Sequence, residues 1–414
     1  MLRQNIFILI SCIYILATMC SLWSSYLLIS PTFYPVVVLL FCIVCYPVDL
    51  LRSNFFKTTI LYCLILFIIP FFHRLSSVSF SYGSGDYNTA LIESAFILPS
   101  VAISSIIFEH KSRKELNCLA ITGLLAVVVS LCFMIPYIIS DNNVIRLYSE
   151  RANVDLDINY TEMAVARYFW NYPMCHAIVL LFPIYIALFQ FSNNKNRFYF
   201  ALLLIAVLYF IIQSSIATTI FFSFVCIVFI YNKKGTLNKN ILYTIEIIIL
   251  FLSYLMLPFI IDFISNYFKG SAMEMKLQDI YSLLQGGSDV NGSFSVRSVR
   301  HHQAMLCFLN NPLLGDYVPV NGHSVILNRL GSMGLIGIIP FCLIFYQVYH
   351  KYKSILCRKL RLYYYLAFAC CLLLVYTKGI FGQEGYITIF VVVPVTLLWL
   401  QAKIKDTYCK SNRR

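Results

Sequence analysis

A chain of 414 residues in which 60% are hydrophobic and only 12% charged is not a water-soluble domain, whose charged fraction is normally about twice that. The net charge of +13 comes without any Walker, dinucleotide-glycine or nucleic-acid motif, so nucleotide-driven, redox and nucleic-acid functions are not expected. The excess of cations is read instead as a rim that meets anionic headgroups.

A helical crossing needs ~20 mostly apolar residues. In chain order, twelve segments qualify: 6–29, 33–50, 58–72, 89–108, 118–140, 172–191, 198–213, 215–231, 241–261, 325–349, 362–377 and 386–402, of which the third, seventh and eleventh are short. They are continuously apolar and not alternating, which points to helices and away from a β-barrel. The first follows one basic residue, Arg3, as a signal peptide would. Its apolar stretch is longer than such a core and no small-residue cleavage site stands out, so it is read as a span. The expected fold is an all-α polytopic membrane protein of about twelve transmembrane helices, a single integral membrane domain over 1–414 with no internal repeat.

Basic residues near span ends stay on the cytoplasmic side. In a twelve-span layout most of the 31 fall together, in segments that include Arg3, Arg52, Lys57, Arg113, Lys114, Lys233, Lys234, Lys351, Lys353, Arg358, Lys359, Arg361 and the tail. Most acids, from Asp86 to Glu384, fall on the other side. Both termini are therefore expected in the cytoplasm. The 15 cysteines lie almost entirely in or beside the spans and are read as small apolar residues, with no disulfide framework and no structural metal.

Two outer connections are long. The smaller, 141–171, carries Arg146, Arg151 and Arg167 among acids; the larger, 262–323, precedes the tenth span. Loops longer than ~15 residues are usually functional. Within the larger one, 272–284 reads as an amphipathic helix and 299–310 as a second helix ending before Pro312, with Gly286, Gly287 and Gly292 as a joint between them. Arg297 and Arg300 stand three apart, so on a helix they share a face, and paired guanidinium groups suit a pyrophosphate. His323, after Asn321 and Gly322, stands where the chain re-enters the bilayer and is the side chain able to exchange a proton near neutral pH. His301 and His302 are adjacent and point about 100° apart, so both cannot face one ligand closely. Gly331, Gly334 and Gly337 recur every third position as a packing stripe on the tenth span. Arg329 lies in that span's outer end, where a charge needs a partner or a polar cavity, and it joins the candidate anion ligands. The plainer alternatives are a headgroup contact for the arginines and an interfacial structural role for the histidine.

Arg297, then Asn311, Pro312, Leu313, Leu314 and Gly315, then His323 with Leu327, Leu330, Gly334 and Gly337, resemble the signature shared by O-antigen polymerases and O-antigen ligases. The likeness is close over about forty-five residues and loose over the whole span layout. It implies a C-type glycosyltransferase fold at the periplasmic face of the bacterial inner membrane. The implied substrates are oligosaccharides linked to undecaprenyl pyrophosphate, handled without metal or cofactor. In that scheme Arg297 would hold the pyrophosphate and His323 would orient or deprotonate the incoming hydroxyl. Arg167 resembles a second family arginine, and Arg151 is a weaker match.

The chain departs from the pattern at Ser324, where the family commonly has Asn, and at Ser215 and Ile216, where it has a Ser-Arg pair. Arg146, Arg151 or Arg300 would then supply the missing charge. The expected activity is polymerisation of a polysaccharide, with membrane lipids and a separate chain-length regulator as partners and no nucleic acid. An O-antigen ligase, a polysaccharide flippase or transporter, and a structural subunit are the competing readings.

Overall fold

The computed structural model describes residues 2–20, 33–75, 87–110, 112–140, 172–213, 223, 226–227, 261, 272–284, 293–316, 324–377 and 382–411. Among these, every regular element is helical: α1 (Leu2–Met19), α2 (Phe33–Cys45), α3 (Pro47–Arg52), α4 (Asn54–Leu75), α5 (Tyr87–His110), α6 (Arg113–Ser140), α7 (Tyr172–Phe191), α8 (Asn194–Gln213), α9 (Ala272–Leu284), α10 (Ser293–Asn310), α11 (Val325–Ile355), α12 (Arg358–Thr377), α13 (Gln383–Ile387) and α14 (Val393–Ser411). A helix satisfies its own backbone polar groups, which is why segments this apolar adopt it in hydrocarbon.

The chain is an all-α polytopic membrane protein. Among the described residues eight helices are long and apolar enough to cross a bilayer, and Phe33–Cys45 and Asn196–Ile212 are shorter apolar helices. The expected spans 215–231 and 241–261 lie outside the described residues, except for Ser223, Cys226, Ile227 and Ile261.

Boundaries depart from the sequence reading where proline intervenes. The segment 33–50 breaks after Cys45, because Pro47 pushes Tyr46 out of helical geometry, to φ −129 and ψ 42, and opens α3 as its first residue. Between α13 and α14 the helix widens into a π turn, Thr388–Val392. Pro394 follows, and in a regular α-turn its ring would meet the carbonyl of Phe390.

Burial separates centre from perimeter. Of the span Met174–Phe191, 83% is buried inside the protein, and of Gln383–Lys405, 78%, against 39% of Leu2–Met19. So α7 and the α13–α14 rod form the axis, with α1, α2, α4 and α8 outside it. Gly123 of α6 permits a close approach to this rod, since a Cβ there would lie 2.6 Å from Val392 Cγ1.

One end of the bundle gathers polar pairs. Gln4 donates to Glu115 (2.9 Å), Lys114 donates to Asn5 (2.7 Å), and Lys351 pairs with Glu109 (3.3 Å) while resting 3.7 Å over the Phe108 ring. His110 lies between Asp49 (3.4 Å) and the wholly buried Glu115 (3.5 Å). Lys114 and Lys351 thus lie at this end together with the acids Asp49, Glu109 and Glu115.

Candidate functional site

The site region is built from α10, the turn after it and the first half of α11. Helix α10 begins at Ser293, six residues earlier than its hydrophobic pattern suggests, and stops at Asn310 before Pro312. Along it Arg297, Arg300 and His301 are partly buried and Ala304 is buried, at helical spacings of three, four and seven, whereas Ser298, Val299 and His302 are exposed. Both arginines and His301 therefore share the inward face, and His302 looks outward.

Crowding of that face shows in His301. Burial first, and the nearby Arg297 guanidinium second, hold its imidazole below the ordinary value of 6.5. Its Nε2 is buried without a hydrogen-bond partner. Because the folded value lies below the unfolded one, the stability tied to this group is complete above the ordinary histidine range and is lost as pH falls. In histidine-labelled protein, the NMR titration midpoint of His301 is expected below 6.5 and should rise in Arg297→Ala; a midpoint unmoved by that substitution would show that the guanidinium does not act on it.

The turn Asn311–Asp316 then docks into a break in α11. Leu314 N–H donates to Asn311 Oδ1 (3.3 Å) and Gly315 N–H to Asn311 O (2.7 Å), which closes the turn with Gly315 at φ 72. In a continuous helix Leu335 and Ile336 would donate to Gly331 and Ser332. Here Gly334 stands at φ 56 and ψ −155, and the ladder is interrupted. Leu335 N–H donates instead to Pro312 O (2.9 Å) and Ile336 N–H to Leu313 O (3.1 Å), while Gly331 O accepts from Asp316 N–H (2.8 Å). Each donor freed by the break is satisfied by the turn, as a backbone at membrane depth requires. Gly331, Gly334 and Gly337 therefore do not form one smooth stripe against a neighbouring span. Gly334 admits the turn's backbone, since a Cβ there would lie 2.4 Å from Leu313 O, and Gly331 meets the turn through its carbonyl.

Before the break, α11 is opened by Ser324, whose hydroxyl accepts from Leu327 N–H (3.2 Å) as an N-cap. This gives the departure at Ser324 a local function. Arg329, one turn on, is 15% exposed and forms an ion pair with Glu93 of α5, itself 7% exposed. Tyr62 of α4 donates its hydroxyl to Glu93 Oε1 at 2.6 Å, and Tyr386 of α13 reaches the same oxygen at 3.4 Å. The guanidinium carbon stands 5.7 Å from the Tyr62 ring centre and 5.6 Å from that of Phe341, with Nη1 3.8 Å from Met333 Sδ. Four helices thus meet at one charged contact. Glu93 lies about 24 Å of helix rise from Glu109 at the basic end, so the contact is inside the bundle and well removed from that end.

Arg297 and Arg300 are brought together on α10, and α10 packs on α11, which carries Arg329. Arg146, Arg151, Arg167, Ser215, Ile216 and His323 lie outside the described residues. The Glu93, Tyr62 and Tyr386 cluster was not anticipated, although a lone acid in an apolar segment is the signal that would have found it, since such a group needs an ion or hydrogen-bond partner. No protein-family model matches the chain, and no curated protein gives a significant match.

Proposed function

We propose that this protein is a polysaccharide polymerase of the O-antigen type. It would transfer a growing glycan from undecaprenyl pyrophosphate onto a newly delivered lipid-linked repeat unit at the periplasmic face of a bacterial inner membrane. In this reading the chain crosses twelve times with both termini cytoplasmic, and a chain-length regulator is its partner. The observation that carries the reading is the cationic inward face of α10, locked by the Asn311–Asp316 turn onto the broken helix that His323 precedes.

The chemistry follows from the residues. Arg297 and Arg300, with Arg146, Arg151 and Arg167 from the smaller loop, neutralise the diphosphate so that it departs as a stabilised anion. A hydroxyl of the acceptor sugar attacks the anomeric carbon, the new glycosidic C–O bond forms as the bond from that carbon to the phosphate oxygen breaks, and His323 takes the hydroxyl proton. The energy is that of the substrate's own phosphoester. Arg329, already paired with Glu93, acts by holding α11 and the start of the helix behind His323.

Removing one such charge or base typically costs ~10²–10³ in rate. Arg297→Ala and His323→Ala should each reduce surface polysaccharide to single repeats on gels; long ladders from both variants would exclude these residues from the reaction. Unattached long polymer in cells lacking the protein would mark a ligase instead.

The buried Glu93–Arg329 ion pair and the broken helix also favour a second reading, a flippase, because transporters bury paired charges and interrupt helices inside the bundle, although this pair lies towards the span ends. Single repeats accumulating at the inner face in the deletion strain would select it, and accumulation at the outer face would select the polymerase.

A further inference from the structure

An apolar groove of about 330 Å³ runs between α11 and α12, lined by Phe341, Cys342, Phe345 and Tyr349 on one side and by Ala369 and Leu372 on the other. The volume is at the lower end of ligand pockets, about 300–1,000 Å³, and suits one hydrocarbon chain. Cys342 and Leu372 are exposed, so the groove opens sideways toward the surroundings of the bundle.

What marks this groove out is the connection between its two walls. Helices α11 and α12 are joined by a tight turn, and the stretch Lys351–Arg361 carries five basic residues and no acid. Lys351 is engaged by Glu109. Lys353 rests over the rings of Tyr349 (5.4 Å) and Tyr365 (5.6 Å), and Tyr349 is itself a groove wall, so cation and groove are contiguous. Arg361 is fixed at the turn by donating its Nε–H to Leu356 O (2.8 Å). Along α12, Phe368 lies about 10 Å and Val375 about 21 Å beyond Arg361. One leaflet of hydrocarbon is about 15 Å thick, so an acyl chain whose headgroup sits at the turn reaches Phe368 and Ala369, and the part of the groove towards Val375 lies beyond its end.

We infer that the groove between α11 and α12 is a binding site for an anionic phospholipid, with one acyl chain along Phe345 and Ala369 and the phosphate headgroup held at the basic turn by Lys353, Arg358 and Arg361. A zwitterionic lipid fills the same groove but gains nothing from three cations. Basic clusters at the ends of membrane helices each contribute about 1 kcal/mol toward acidic lipid. The site is separate from the proposed reaction and does not depend on it.

The test uses the full-length protein in nanodiscs containing trace phosphatidylglycerol or phosphatidylcholine with a diazirine on one acyl chain, the adducts being mapped by peptide mass spectrometry. Phosphatidylglycerol should label 345–349 and 368–372 at least fivefold more than phosphatidylcholine. Ala369→Trp should remove most of that label, with Ala369→Leu as a milder filling in case tryptophan prevents folding. The double variant Lys353→Glu and Arg358→Glu should bring the phosphatidylglycerol signal down to the phosphatidylcholine level while chain labelling persists. Equal labelling by the two lipids in the unaltered protein would overturn the site. Labelling unchanged by both fillings would do so too, as would displacement by a polyprenyl phosphate at lower concentration than by phosphatidylglycerol.

Discussion

Glu93→Ala should destabilise the protein by about 3–5 kcal/mol, because it leaves the Arg329 guanidinium in the bundle with no carboxylate to face. The cost is asymmetric. Glu93 is hydrogen-bonded by Tyr62, approached by Tyr386 and paired with Arg329, so its loss strands one cation and takes the acceptor from the Tyr62 phenol at once. Removing both charges, as Glu93→Ala with Arg329→Met, leaves the Tyr62 phenol without this acceptor and should recover most of the loss. Reversible unfolding in mixed detergent and SDS, run as a double-mutant cycle, measures this directly. Single losses that simply add in the double variant would mean that the two charges do not depend on each other. Tyr62→Phe should cost less, about 1–3 kcal/mol, since the ion pair survives it.

That pair also fixes where the first half of α11 sits. Arg329 stands between the Ser324 cap and the Gly334 break, and through Glu93 it ties this short piece of helix to α4, α5 and α13. A charged contact specifies one arrangement in a setting where apolar packing is nearly indifferent to rotation, because lipid tails are as apolar as the side chains they would replace. A helix that ends at a break has no continuous backbone to hold its orientation, and here the ion pair supplies the constraint.

The same indifference explains which features could be read from the sequence. Bilayer thickness sets a length that ~20 apolar residues must fill, so the spans from Leu2–Met19 to Gln383–Lys405 are visible as runs. Nothing in those runs tells that α7 is central and α1 peripheral, since both carry a long apolar stretch and each has only a few polar residues. Helix α9 was legible because it is amphipathic, and the end of α10 because of Pro312. Its start was not, since three serines and an arginine interrupt the apolar residues of Ser293–Val299. For the site, the shared face of Arg297 and Arg300 follows from spacing alone, whereas choosing His301 over His302 requires knowing which side of α10 is buried. Glu93 and Arg329 are each visible as a charge in an apolar segment. Their pairing is a tertiary event between α5 and α11 that no local pattern encodes. The glycines of α11 misled for a related reason: a period of three suits a packing stripe, and the acceptor for the break lies in the preceding turn.

Substituting two of those glycines separates the alternatives. Gly334→Ala places a Cβ 2.4 Å from Leu313 O and 2.6 Å from Pro312 O, both backbone atoms of a closed turn, at a φ of +56 with an extended ψ that side chains rarely adopt. Conformational strain of this kind costs about 1–3 kcal/mol. The clash further displaces the carbonyls that receive Leu335 and Ile336, each such bond being worth about 1 kcal/mol. A total loss of about 3–5 kcal/mol is expected, together with loss of the contact that locks α10 to α11 and hence of polymer ladders. Gly337→Ala meets Met333 of its own helix, at 2.3 Å from its Cβ and 2.7 Å from its methyl, and none of its closest contacts is an atom of the turn. The methyl can swing aside, but Met333 Cβ moves only with the backbone. Overpacking of this kind costs about 1–3 kcal/mol, partly offset by up to about 1 kcal/mol of helix propensity, so the net loss should stay under about 2 kcal/mol, below that at Gly334, and on the proposed function ladders should persist. Equal losses at the two positions would mean that α11 is a continuous helix packed along a glycine face. A loss confined to Gly334 would place the functional constraint in the turn that completes the broken helix.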